Sequence, residues 1–199
     1  MHLPEPERTL ALLAAGTGLR ISECLGLQWQ DVEFSASLIR VRRTWTWGKV
    51  GLPKSKASQA PVPMHPMLAA FVERWMHQTP YSRPSDWVFP SFKLKGKQPR
   101  VANMLVSDYL RPAAVKAGVI AASWEGRFGF HNFRHSLASY LVRSKTDPKT
   151  VQVLLRHSDV KTTLQLYSHS VSEDRMLAQE AVLQAILGSA TDESGLSAD

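Results

Sequence analysis

Five side chains of this 199-residue sequence are of types that can work together on an anionic ester: Arg20, His131, Arg134, His157 and Tyr167. An arginine presents a planar fork that grips two phosphate oxygens at once, which a lysine cannot do. An imidazole moves protons near neutral pH. A phenolic hydroxyl becomes a nucleophile once positive surroundings and a base help it past its ordinary pKa of about 10. A phosphodiester resists attack, so its transition state has to be surrounded by positive charge, and this set suits that chemistry. His131, Arg134 and His135 fall at i, i+3 and i+4, one side of a helix, with Phe133 and Leu137 on the other. Singly, each residue also has an ordinary reading. Arg20 follows a glycine turn, where an arginine is commonly solvated or capping. His157 sits at a helix end, where a cation favours the dipole, and Tyr167 stands where a tyrosine commonly packs.

The elements that must position these residues are legible as patterns. Behind Pro4 and Pro6, ERTLALLAAGTG places Leu10, Leu13 and Ala14 on one helical face. Gly16 and Gly18 break this helix, and RISECLGLQW starts another with Ile21, Leu25 and Trp29 inward. Between Asp31 and Pro63 the stretches VEF, LIRVRRTWTW and QAPVPM, separated by Gly48, Gly51 and Pro53, predict a three-stranded antiparallel sheet. Alternation there sets Leu38 and Arg40 opposite Ile39 and Val41. Helical period returns from Pro66, with Leu68, Phe71, Val72 and Trp75 together. Residues 79–100, rich in proline, form loops around a short WVF strand. NMLVSDYLRPAAVKAGV is helical, bent at Pro112 and stopped by Gly118. HNFRHSLASYLVRS buries Phe133, Leu137 and Leu141. Asp147 and Pro148 open a helix that ends near His157, and Ser158 or Asp159 caps VKTTLQLY. A last helix covers about residues 172–187, closed by Gly188, and residues 189–199 form an acidic, disordered tail. The fold class is α+β, mainly helical, with a small three-stranded antiparallel sheet in the N-terminal third, in one domain over residues 1–188.

Composition admits that fold: 44% hydrophobic, 21% charged and 9% aromatic residues can bury a sizeable core. The net charge is +7, and the last eleven residues hold Asp192, Glu193 and Asp199 but no base. Residues 1–188 therefore carry 24 basic against 14 acidic side chains, or +10. A basic body suits a polyanion, because each phosphate neutralised releases counterions. The single Cys24 excludes an internal disulfide and a multi-cysteine zinc site, and its apolar run marks it as a small core residue. No apolar stretch approaches the roughly 20 residues of a membrane span, and no signal peptide precedes the body. A soluble protein of a reducing cytoplasm is expected. No paired carboxylates stand at metal-ligand spacing near His131 or His157, so neither a metal nor a cofactor is expected.

Three local sequences sort these residues into a known order. GTGLRISECLGLQW (16–29) resembles the first-arginine box of the tyrosine recombinases of phage-integrase type. HNFRHSLAS (131–139) resembles their His-x-x-Arg box, and LLRHSDVKTTLQLYSH (154–169) is similar to the third box, whose histidine stands ten residues before the nucleophilic tyrosine. PKSKAS (53–58) stands where the family carries a β-hairpin lysine. The likeness covers about residues 7–187.

That resemblance implies a catalytic domain that cuts double-stranded DNA through a 3′-phosphotyrosine at Tyr167 and rejoins it without metal or ATP. It implies Arg20 and Arg134 on the nonbridging oxygens, His157 as a further donor to the same phosphate, His131 as base or proton shuttle, and His135 in support. The departing 5′-oxygen would take its proton from a lysine on the hairpin turn: Lys54 by the pattern Pro-Lys-x-Lys-x-Ser, with Lys56 as the alternative or a phosphate contact. Glu23 matches the acidic position of the first box and would orient active-site groups; an ordinary first-turn carboxylate is the other reading. Arg42 and Arg43 are expected to contact DNA. Members assemble on DNA as homo-oligomers, up to a tetramer, and a prokaryotic cytoplasm is implied. They commonly dock the last helix on a neighbour. Here Met176, Leu177, Ala181, Leu183, Ile186 and Leu187 cover more than half its circumference, broader than one stripe. Members also usually carry a helical DNA-binding domain before the first box, whereas nineteen residues precede Arg20, so a fragment or a shortened protein is expected. A type IB topoisomerase would share the chemistry but lacks the His-to-Tyr spacing. A catalytically dead DNA-binding relic and a metal-dependent nuclease are the remaining readings.

Overall fold

The computed structural model describes residues 2–55, 57–167 and 182. Lys56, the tail at 189–199 and, residue 182 apart, the last expected helix lie outside them. Helix α1 (Glu7–Thr17) buries Leu10, Leu13 and Ala14 on one face. It stops where Gly18 turns left-handed at φ 66° and donates its N–H to the Ala14 carbonyl. No side chain fits there, since a Cβ would come within 2.9 Å of Leu155 Cδ2. Helix α2 (Ile21–Leu25) follows, only five residues long and so shorter than the periodicity suggests. It ends because Gly26 lies against the backbone ahead: a Cβ there would sit 2.5 Å from the Arg43 carbonyl oxygen. Trp29 is inward all the same, in a 3-10 turn, with its Nε1–H on the Tyr81 carbonyl at 2.8 Å.

Strands β1 (Val32–Glu33) and β2 (Leu38–Ile39), with the later β5 (Val62–Pro63), form the three-stranded antiparallel sheet in the order β1-β2-β5. Ile39 pairs with Val32 and Val62, and the alternation holds: Ile39 and Val41 are buried, Leu38 and Arg40 partly exposed. LIRVRRTWTW is not one strand, however. The Arg40 N–H turns to the Asp31 carbonyl at 2.8 Å, and the chain resumes as a separate hairpin of β3 (Thr44–Thr46) and β4 (Lys49–Gly51). Its turn, Trp47 and Gly48, is left-handed at both residues. WVF is not a strand either; a single bridge joins Trp87 to Gln28.

Helix α3 (Pro66–Gln78) seats Val72 and Trp75 in the core. The next helical stretch is broken into α4 (Ala102–Leu105), a π turn at Val106–Leu110, and α5 (Arg111–Lys116). Pro112 has no N–H for the carbonyl four residues back, and the ladder shifts one residue just before it, with Arg111 N–H on Val106. The last three described helices are α6 (Phe130–Arg143), α7 (Pro148–Leu155) and α8 (Val160–Tyr167). Asp147 caps α7 by accepting from Thr150 N–H at 2.8 Å, and Asp159 accepts from Lys161 N–H at 2.9 Å at the start of α8.

One large core joins α1 to α4, the sheet and the π turn, and reaches Phe130 at the head of α6. Cys24 lies within it, and burial pushes its thiol well up from the ordinary range. A second, small cluster of Ala138, Val151 and Leu155 holds α6, α7 and α8 together, flanked by Leu137, Leu141, Leu166 and Tyr167. No described helix is long and apolar enough to cross a membrane.

Candidate active site

The Gly18 turn, α6 and the end of α7 meet at Arg134, whose residue is 7% exposed. Its Nη1 donates to the Gly18 carbonyl at 2.5 Å and its Nη2 to the Leu155 carbonyl. Both acceptors belong to helix ends, whose carbonyls lack partners within the helix. Gly18 stands two residues before Arg20, and Leu155 two before His157, so one guanidinium ties three sequence boxes together. Burial and the charge of Arg20 bring its pKa down to about 10, Glu23 opposing and Arg156 adding, so it stays a cation at neutral pH. Two of its five N–H donors are accounted for by these carbonyls.

Arg20 caps α2 with its backbone extended, and its side chain is 41% exposed. Its Nη1 donates to Glu23 Oε1 at 3.0 Å and to Ser58 Oγ at 3.3 Å, and its backbone N–H donates to Glu23 Oε2 at 2.9 Å. Glu23 is itself buried and also accepts from Arg156 Nη2, at 2.5 Å. Arg156 Nη1 reaches the Ser58 carbonyl at 2.7 Å.

Sequence placed His131, Arg134 and His135 on one side of a helix, opposite Leu137. The structure separates them: Arg134 turns inward beside Leu137, which also borders Gly18, while both histidines are exposed. The His131 and His135 rings meet edge-on with centroids 4.2 Å apart. Desolvation, then His135, Arg134 and Arg20, lower the His131 pKa. His157 is half-buried, its Nδ1 bonded to Thr163 Oγ1 at 2.9 Å, and burial followed by Arg134 and Arg20 lowers its pKa too. Both imidazoles thus feel the two arginines.

Tyr167 is held elsewhere. Its hydroxyl donates to the Thr146 carbonyl, and burial followed by the charge of Asp147 raises its pKa. Lys54 is exposed and is not on the hairpin turn, which is Trp47–Gly48; it lies past β4, before the 3-10 turn Ala57–Gln59. That stretch is anchored at the site through Ser58, whose N–H and hydroxyl also meet Ser55 Oγ at 3.2 and 3.1 Å. The expected DNA contacts divide. Arg43 Nη1 donates to buried Asp31 Oδ2 at 2.6 Å and its side chain is only 18% exposed, which ties the start of β3 to the 3-10 turn Trp29–Asp31; Arg42 stays outside, 3.7 Å from Asp31 Oδ1. Arg156 and Ser58 were not singled out from sequence. The available signal was Glu23 itself, a carboxylate in an apolar run that needs a buried partner, although sequence does not say which.

Residues 2–174 match the family model described as the phage integrase family. Tyrosine recombinase XerD of Neisseria meningitidis serogroup B is 32% identical over 167 residues, which is 82% of this chain and 50% of that protein. Tyrosine recombinase XerA of Pyrococcus furiosus is 28% identical over 184 residues, covering 91% of this chain and 55% of the relative. The chain thus spans about half the length of the curated relatives it matches. The Tn1549 transposon integrase in complex with transposon right end DNA shares the fold, with a TM-score of 0.71 at 21% identity over 88% of this chain and 58% of that one. With a family match over most of its length, and with the three boxes drawn onto one buried arginine, the chain belongs to the phage integrase family.

Proposed function

We propose that this chain is the catalytic domain of a site-specific DNA recombinase, which cuts and rejoins double-stranded DNA through a 3′-phosphotyrosine at Tyr167 without metal or ATP. The observation that carries the reading is Arg134, bonded to carbonyls two residues from Arg20 and from His157. It supports a preformed cationic floor for one phosphate. Arg20 and the remaining N–H groups of Arg134 grip the nonbridging oxygens, and His157 donates from Nε2, its Nδ1 being on Thr163. Tyr167 Oη attacks phosphorus while His131, neutral because its pKa is lowered, takes the phenolic proton. The bond from phosphorus to the 5′-oxygen breaks, and Lys54 gives that oxygen its proton. An incoming 5′-hydroxyl reverses each transfer, so the bond energy is conserved in the linkage. For attack, Tyr167 must exchange the Thr146 carbonyl for the phosphate.

Arg42 and Lys56 are proposed contacts to flanking phosphates. Assembly on paired sites, up to a tetramer with segment 172–187 docked on a neighbour, rests on the family resemblance and on that segment's broad apolar face. A prokaryotic cytoplasm belongs to the same reading.

The test is a labelled, nicked duplex carrying half-sites that the protein itself selects from a random-sequence pool, incubated at low salt with EDTA. An SDS-resistant adduct at the 3′ end of the cut is expected, and Tyr167→Phe should lose it while DNA binding persists. An adduct that survives in Tyr167→Phe, or cleavage abolished by EDTA, contradicts the reading.

A further inference from the structure

We propose that Arg156 is a positioning residue, a buried guanidinium that holds Arg20 and the Lys54 stretch in register with His157. The inference rests on the recombinase reading and adds to it a residue that touches no substrate. Arg156 follows the last residue of α7 in the left-handed conformation, φ 52°, which side chains other than glycine and asparagine rarely adopt. A glycine would take this turn freely, so the arginine stands here against the local backbone preference. Its side chain and that of Glu23 are each 2% exposed. Two terminal nitrogens account for its contacts: Nη2 on Glu23 Oε2 at 2.5 Å and Nη1 on the Ser58 carbonyl at 2.7 Å. These partners are 133 and 98 residues away in the chain.

Each contact leads on to a group of the site. Glu23 Oε2 accepts from both Arg156 and the Arg20 backbone, while Oε1 takes the Arg20 guanidinium. The carboxylate is therefore clamped from one side so that it can clamp Arg20 from the other. Ser58, held by its carbonyl, offers its hydroxyl to the same Arg20 nitrogen and ends the stretch that carries Lys54. His157 is the next residue in the chain. One side chain thus sets the distance between the arginine that meets the phosphate, the lysine stretch and the histidine. Without it, Glu23 loses its charged anchor and Arg20 is free to change rotamer, although every group proposed to meet DNA is still present. A lysine keeps the charge but cannot fork to two acceptors.

The experiment compares the parent with Arg156→Gly, which suits the backbone, and Arg156→Lys. Single-turnover cleavage of the nicked half-site duplex is followed at saturating DNA, and the Arg20 Nε–H signal is followed in ¹⁵N-arginine spectra without DNA. Arg156→Gly should keep DNA affinity yet cleave about a hundredfold more slowly, the size expected when a reacting group is misplaced by about 1 Å. Its Arg20 signal should broaden, and Arg156→Lys should recover part of both. If Arg156→Gly does not fold, Arg156→Lys carries the comparison, with an intermediate rate and signal expected. Parent-like cleavage with an unchanged Arg20 signal overturns the proposal, as does a rate loss matched by the loss of folded fraction measured by circular dichroism. If the parent itself forms no adduct, the recombinase reading fails, and the Arg20 signal still decides whether Arg156 positions it.

Discussion

Arg134 and Tyr167 each donate to backbone carbonyls, yet the two sets of bonds act in opposite directions. The acceptors of Arg134, at Gly18 and Leu155, belong to the turns that carry Arg20 and His157, so its bonds assemble the site. The acceptor of Tyr167, at Thr146, belongs to the connection between α6 and α7, outside the turns that carry Arg20 and His157. The surroundings differ in the same sense. Arg134 is buried where the large core meets the small one, whereas Tyr167 is half-buried at the rim of the small cluster of Ala138, Val151 and Leu155. Burial, and then the charge of Asp147, oppose ionisation of the tyrosine where it stands. The cationic floor proposed for the phosphate is therefore already assembled in the folded chain, whereas the proposed nucleophile is bonded apart from it.

Removing each residue in turn should separate the two roles. Arg134→Ala leaves the Gly18 and Leu155 carbonyls without their donors, a cost of about 1–3 kcal/mol for each buried acceptor. Tyr167→Phe loses the hydrogen bond to the Thr146 carbonyl, about 1 kcal/mol. Thermal unfolding should therefore show a drop of many degrees for Arg134→Ala, an intermediate one for Arg134→Lys, and a small one for Tyr167→Phe. Equal melting temperatures for Arg134→Ala and Tyr167→Phe would remove the distinction.

A smaller effect sharpens the electrostatic side. His131 and His157 are both held below the ordinary value of 6.5, so the unfolded chain takes up protons more readily than the folded one. Their contribution to stability is complete above the unfolded value and is lost as pH falls through the lowered folded values. Denaturant unfolding between neutral and mildly acid pH should show stability falling, and His157→Gln should flatten that slope. A slope unchanged in His157→Gln would show that neither burial nor the two arginines lower this imidazole.

Local features of this architecture were legible in the sequence, and non-local ones were not. The Asp147 cap, the Gly18 turn and the Ile39–Val41 alternation are written within a few residues and stand as expected. The hairpin at Thr44–Gly51 was merged into its neighbouring strand because the break depends on Asp31, which draws the Arg40 N–H and the Arg43 side chain together. For the same reason Arg43 reads as a DNA contact in sequence and stands in the fold as a part-buried ion pair with Asp31. Arg156 shows the limit most clearly. An arginine at a helix end reads as a solvated complement to the dipole, and its burial follows only from Glu23, 133 residues earlier. The resemblance puts Lys54 on a hairpin turn, whereas in the fold Ser58 is what ties its stretch to the site.

The most direct measurement of the central claim is a structure of the full chain on its nicked half-site duplex, captured before cleavage. Arg134 is expected still to donate to the Gly18 and Leu155 carbonyls, with Arg20 and His157 on the scissile phosphate, while the Tyr167 hydroxyl has left Thr146 and faces the phosphorus. A reactive complex in which Tyr167 keeps its bond to Thr146, or in which Arg134 abandons both carbonyls to reach the phosphate, would contradict a preformed floor with a separately stored nucleophile.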